Sequence, residues 1–295
     1  MINGDCLEVL KEIKDKSVDL FILDLPYGQT ACKWDIPIDL NLLWIELKRI
    51  ARNKNTGFIF FTTTKFGYKL IQSNEKWFKF DLVWDKPNGT SGFLHSKRQP
   101  LRSHEMIYVF YEKPPFYNML EHHTRINAFK GISKNETQSV YGNRFQNVGG
   151  GLSWSPALPK SVIKCNTSRS AIHPTKKPEG ICEWLIKYFS KEGDTILDPT
   201  AGVGSIGVAC KKLNRNFIGI EKNSDYFNIA LGLISQTTGR LVEVCVPIEN
   251  SPIVVDCEEQ GADHSPADFR GDRQTQLLFG EVCECRGQTY VERRG

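Results

Sequence analysis

A chain of 295 residues with 40% hydrophobic content can bury one sizeable core and a smaller appended lobe. Charged residues at 24% and the lack of low-complexity tracts argue against a disordered protein, and no apolar stretch approaches the roughly 20 residues that span a bilayer. The net charge of +4 hides an asymmetry: from Arg240 onward 6 basic residues face 11 acidic ones, whereas Glu112 to Pro178 holds 10 basic against 3 acidic. A basic middle is the footprint of a polyanion such as nucleic acid, and equally of a solvated surface; charge alone does not separate them.

The opening "MINGDCLEVLKEI" lacks the basic-then-apolar order of a secretion signal, and nine cysteines without a framework suit a reducing compartment. A cytoplasmic protein is the expectation. Asp19 to Leu23 is apolar with little alternation, the pattern of a strand covered on both faces, and it ends abruptly in Asp24-Leu25-Pro26-Tyr27-Gly28. A helix is predicted over Leu40 to Ala51 and a second buried strand over Thr56 to Thr64. "FDLVWDK" and Met106 to Tyr111 read as two more strands. From Lys113 to Ala171 the pattern dissolves into Asn, Gly, Ser and aromatic residues, a stretch too long for an ordinary connection.

Order returns in "HPTKKPEGICEWLIKYF", where Pro178 suits the first turn of a helix and Ile181, Trp184, Leu185 and Tyr188 share one face. A strand "DTILD", the turn "PTAGVGS", a helix "IGVACKKL", a strand "NFIGIE" and a helix with Ser224 as its predicted N-cap follow. Strands alternating with helices predict an α/β fold with a mostly parallel sheet and helices on both faces. After about Ser235 the tail is acidic and aperiodic. Its Cys257, Cys283 and Cys285 form only a weak zinc signal.

Asp198, Gly202 and Gly204 fall where a strand opens into a helix, so a ligand can approach the backbone closely and meet helix N–H groups. Glu221 ends the next strand, 23 residues beyond Asp198, a spacing that suits an acceptor for ribose hydroxyls. Alone, this unit signals a nucleoside, and several cofactor classes satisfy it. Together with Asp24-Leu25-Pro26-Tyr27, the chain resembles site-specific DNA methyltransferases that modify the exocyclic amino group of adenine or cytosine. "NGDCLEVL", "SVDLFILDLPYG", "VWDKPNGTSGFL", "PLRSHEMIYVFYEK", "HPTKKPEGICEWLI" and "DPTAGVGSIGVAC" carry the resemblance, which covers Met1 to about Ser235 except the middle. The catalytic motif precedes the cofactor glycines, as in the permuted β group. Leu25 and Thr200 depart from the family pattern, standing where a proline and an aromatic are usual.

The resemblance implies a Rossmann-like methyltransferase fold, S-adenosylmethionine as cofactor, double-stranded DNA as substrate, and a bacterial or bacteriophage origin. It implies a catalytic half over 1–112, a target-recognition region over 113–171, a cofactor-binding half over 172–235 and an appendage over 236–295. Asp24 and the carbonyl of Pro26 would accept the two amino hydrogens of a flipped base, and Tyr27 would stack on it. Asp at position 24, where Ser goes more often with cytosine N4, points to adenine N6.

Asp5, Thr175, Asp198, Gly202, Gly204 and Glu221 would surround the cofactor. Lys97, Arg98, Arg102, Arg125, Lys130, Lys134 and Arg144 would meet DNA phosphates. Lys176 and Lys177 read either as part of the loop over the cofactor or as plain surface charges. His173 is needed neither as a base nor as a metal ligand, and the transfer needs no metal. A partner restriction endonuclease and a monomer or homodimer fit the family. Cytosine-N4 methylation and a decayed, cofactor-sensing DNA-binding protein are the competing readings.

Overall fold

The computed structural model describes residues 1–29, 32, 35–126, 153–167 and 176–239. The chain divides into two units, Met1–Asp256 and Cys257–Gly295, and every described residue belongs to the first. The tail cysteines therefore lie outside the described residues.

In chain order the elements begin with β1 (Ile2–Asn3), α1 (Cys6–Glu12), β2 (Leu20–Leu23), α2 (Leu40–Ile50), β3 (Gly57–Thr62) and α3 (Thr64–Ser73). Next come β4 (Phe78–Asp85), β5 (His104–Phe110), β6 (Thr124–Ile126), β7 (Ser153–Ser155) and β8 (Val162–Lys164). The series closes with α4 (Glu179–Phe189), β9 (Thr195–Asp198), α5 (Ser205–Lys212), β10 (Asn216–Glu221) and α6 (Ser224–Gln236).

Among the described residues eight strands form one sheet in the order β1-β10-β9-β2-β3-β5-β4-β8. Only β5 runs against its neighbours, between β3 and β4; the other pairings are parallel. The predicted mostly parallel sheet is thus what the chain builds. Its central strands are apolar because both sheet faces are covered. Phe21, Leu23, Phe58 and Phe60 pack on one face with Leu10, Leu43, Leu47 and Leu70 of α1, α2 and α3. Leu20, Ile22, Ile59 and Phe61 pack on the other with Ile181, Leu185, Ile206 and Ala209 of α4 and α5. Alternate residues of one strand therefore feed two separate cores.

The order of the strands creates a crevice. From β2 the chain moves outward to β3, while from β9 it moves outward the opposite way to β10, yet β2 and β9 are paired neighbours. Such a reversal leaves room for a ligand beyond the carboxyl ends of the two strands.

Three local expectations change. Asn223, not Ser224, caps α6, accepting the N–H groups of Asp225 and Tyr226 on its side chain. Both residues are good caps, and the chain uses the one that leaves Ser224 helical. Pro178 precedes the helix as its N-cap residue instead of lying in its first turn. The stretch read as patternless also adds a strand to the main sheet, where β8 pairs with β4, and its Asn118 N–H docks on the carbonyl of Tyr188 in α4. No helix among the described residues is long and apolar enough to cross a membrane.

Candidate active site

Asp24 follows β2 directly, and Asp198 ends β9, so the two predicted halves meet at the strand reversal. Leu25 explains the missing proline: it is buried at 3% exposure within the core under α1, α2 and α3. Leu25 thereby anchors the motif from below, while Asp24, Pro26 and Tyr27 stay half-buried at the crevice.

Both carboxylate oxygens of Asp24 are engaged. The Tyr27 hydroxyl donates to Oδ1 at 2.9 Å, and Lys177 Nζ lies 2.6 Å from Oδ2. Burial, with Asp24 adding to it, pushes the Tyr27 phenol well above its ordinary range, so this hydroxyl keeps its proton. The Tyr27 ring packs on Phe66 with centroids 5.1 Å apart.

Lys177 is buried, which corrects the surface reading of that lysine. Burial alone would lower its pKa, but Asp24 and Glu105 beside it hold the ammonium above the usual lysine range. Glu105 in turn faces Lys177 at 3.4 Å and bonds Lys86 on the neighbouring strand edge. Burial pushes the Glu105 carboxyl up, yet the two lysines outweigh it and keep the group below its usual range. Lys176 bridges to Glu179 at 3.6 Å in the first turn of α4.

The loop after Tyr27 has its own clamp. Asp35, at 7% exposure, accepts the N–H groups of Gly28 and Gln29 on its two carboxylate oxygens at 2.7 and 2.8 Å. Gly28 carries a φ of 64°, a conformation that favours glycine. Thr63, the N-cap of α3, donates its hydroxyl to Gln29 at 3.1 Å.

On the other half, Asp198 is buried at 2% exposure and accepts the Thr200 N–H at 3.0 Å. Burial drives its carboxyl well above the ordinary range. Gly204 ends the turn with a φ of 77°, and a Cβ there would come 2.9 Å from the Cβ of Ala230 on α6. At Gly202 a Cβ would meet nothing within 4 Å, so open space faces this backbone. Glu221 Oε2 accepts the Gly202 N–H and Oε1 accepts the Asn223 N–H, both at 2.8 Å. Asp5 caps α1, accepting Leu7 N–H at 3.0 Å, and pairs with Lys222 at 3.2 Å. The Gly4 N–H to Glu221 carbonyl bond brings Asp5 beside the same strand end. A half-open glycine turn flanked by acceptor carboxylates fits a ribose and a zwitterionic amino acid moiety.

The DNA methylase family model matches residues 18–232. The chain belongs to that family. Among relatives, it is 31% identical to the Type II methyltransferase M.HinfI of Haemophilus influenzae, over 78% of this chain and 66% of that protein. It is 28% identical to M.HpaI of Haemophilus parainfluenzae, over 78% of this chain and 72% of that one. In fold it is similar to the M1.HpyAVI–SAM complex, with a TM-score of 0.51 and 23% identity over 79% of this chain and 97% of that one. The PvuII DNA methyltransferase (cytosine-N4-specific) gives a TM-score of 0.55 at 14% identity over 78% and 84% of the two chains. The expected methyltransferase fold is therefore confirmed.

Of the methylase's predicted DNA-facing residues, Lys97 and Arg98 are exposed in the loop between β4 and β5, beside the 3-10 turn Phe93–His95. Arg102 closes that loop, donating to the His104 carbonyl at 3.1 Å and to the Thr64 hydroxyl at 3.3 Å. Arg125 is exposed on β6, in the two-stranded sheet with β7. Thr175, Lys130, Lys134, Arg144 and His173 lie outside the described residues. Sequence reasoning missed Asp35 and Glu105. Asp35 belongs to a segment without periodicity, and Glu105 looks like an ordinary polar position of a strand. Among the described residues no group of three or more His, Cys, Asp or Glu side chains is placed to hold a metal ion.

Proposed function

We propose that this methylase transfers a methyl group from S-adenosylmethionine to the N6 amino group of a flipped adenine in a specific double-stranded DNA sequence. The observation that carries the reading is the Asp24 carboxylate at the end of β2, next to the glycine turn that follows β9, across the strand reversal. Asp rather than Ser at position 24 supports adenine. The SAM complex in the name of one structural neighbour and the Type II relatives support the cofactor, the DNA substrate and a place beside a restriction endonuclease.

The adenine amino nitrogen is a weak nucleophile because its lone pair is delocalised into the ring. Asp24 accepts one amino hydrogen and the Pro26 carbonyl the other, which localises the lone pair and stabilises positive charge as it forms. Tyr27, backed by Phe66, offers a ring face to the extruded base, a stack worth about 1–3 kcal/mol. Bound S-adenosylmethionine would supply the electrophilic methyl group and be left as the neutral thioether, and the methylated amino nitrogen, acidic once positive, sheds one proton after the transfer. Glu221 and Asp5 would accept hydrogen bonds from its nucleoside part, Gly202 leaves open space for it at the backbone, and Gly204 turns the chain into α5 against Ala230 with its left-handed φ. Lys97, Arg98, Arg102 and Arg125 face phosphates and set the register of the duplex.

An Asp24→Ala variant tests the assignment, with labelled S-adenosylmethionine and unmodified bacterial DNA as substrates. Methyl transfer is expected to disappear while DNA binding stays close to that of the parent. Full residual transfer would remove Asp24 from the chemistry.

A further inference from the structure

Four charged residues from four distant segments form an alternating chain, Lys86–Glu105–Lys177–Asp24. Their side chains are 15%, 21%, 9% and 24% exposed, so every member is at least three-quarters buried. Two positive and two negative charges sum to zero, which is what makes the burial tolerable.

Neutrality alone does not fix how the four charges pair. Lys86 already neutralises Glu105 through a direct bond. Lys177 stands 3.4 Å from that acid and only 2.6 Å from Asp24, so its closer partner is the carboxylate of the motif. Its ammonium also lies 5.1 Å from the centroid of the Phe61 ring, a cation–π contact that fixes the head group from a further direction. With Tyr27 on one oxygen and Lys177 on the other, tilting the plane of the Asp24 carboxylate lengthens at least one of the two contacts.

We infer that Lys177 is a positioning residue for Asp24, and that Glu105 positions Lys177 in turn; the inference rests on the methyltransferase reading. The lysine's charge opposes the positive charge that forms on the amino nitrogen. Its service is therefore geometric: it holds the plane of the acceptor, and Glu105 offsets its field. A carboxylate has about four lone-pair sites, so two partners still leave room for the amino hydrogen. The arrangement also ties the segment before α4 to the end of β2, so the cofactor half and the catalytic half share one fixed acceptor.

The test compares the full-length parent with Lys177→Met and with the double variant Lys177→Met/Glu105→Gln. The double variant removes one charge of each sign and keeps the buried sum at zero, so it separates folding from positioning. Single-turnover methyl transfer is read with labelled S-adenosylmethionine and unmodified bacterial DNA, beside cofactor affinity and melting temperature. The double variant is expected to melt and bind cofactor like the parent yet transfer methyl about 10²–10³-fold more slowly, as when one preorganised contact is lost. A double variant that transfers at the parental rate would show that the lysine only balances buried charge, and would overturn the inference. If the parent itself transfers nothing to any DNA, the methyltransferase reading fails. Crystal structures then decide: an Asp24 carboxylate turned away from Tyr27 in the double variant upholds the positioning role, and an unmoved one overturns it.

Discussion

The Thr200 hydroxyl donates to the main-chain carbonyl of Asp24 at 3.0 Å, joining strand ends 176 residues apart in sequence. An aromatic residue at position 200 has no such donor, save a phenol or indole at the wrong distance. The departure from the family pattern thus supplies a bond between the two halves of the site. Thr200→Val is expected to lower stability by about 0.5–1.5 kcal/mol, the worth of one ordinary hydrogen bond, and to slow methyl transfer. Denaturant unfolding and a transfer assay check it; a variant unchanged in both would make the bond incidental.

Glu221 accepts two backbone N–H groups and still has lone pairs for a ligand. Glu221→Ala should weaken S-adenosylmethionine binding by about 1–3 kcal/mol, the range for charged hydrogen bonds. Calorimetric affinity equal to that of the parent would remove Glu221 from the cofactor site.

Asp198 has a carboxyl raised by burial, so the folded chain holds that proton more tightly than the unfolded chain does. Its contribution to stability is full at low pH and falls as pH rises past the unfolded value near about 4 toward the folded one. Asp198→Asn cannot ionise and keeps an acceptor for the Thr200 N–H. Melting series without cofactor should show the variant gaining on the parent as pH rises from acid to neutral. A constant difference would contradict the buried acid.

Lys97 and Arg98 stand exposed at the β4–β5 loop. Replacing both with alanine should weaken DNA binding and flatten its salt dependence, by about 0.9 in log–log slope per lost phosphate contact. An unaltered slope would show that the loop faces away from the duplex.

The sheet and the two ends of the site were legible because they depend on local pattern. β2, β3 and β9 are buried on both faces and so read as continuous apolar runs, and Asp24, Asp198 and Glu221 stand at or just past strand ends. Helix α3 was missed: Gly67 interrupts its pattern because a Cβ there would come 2.4 Å from the ring of Tyr108. Helix α1 has seven residues, too few for a period to show. Lys177, Glu105 and Asp35 were opaque for another reason. Charges in proline-flanked loops (Lys177, Asp35) or at a strand position (Glu105) look solvated, and partners 153, 72, 19 and 6 to 7 positions away turn them inward. Pairing across the fold leaves no trace in composition or period.

The central claim is the transfer of a methyl group to adenine N6 at one DNA sequence. It is tested most directly by expressing the chain in a bacterial host free of DNA methylation and sequencing that host's DNA by a method that separates N6-methyladenine from N4-methylcytosine. The expected result is N6-methyladenine confined to one short motif, and its loss with Asp24→Ala. N4-methylcytosine would contradict the choice of base while keeping the site, and unmodified DNA from cells holding folded protein would contradict the claim itself.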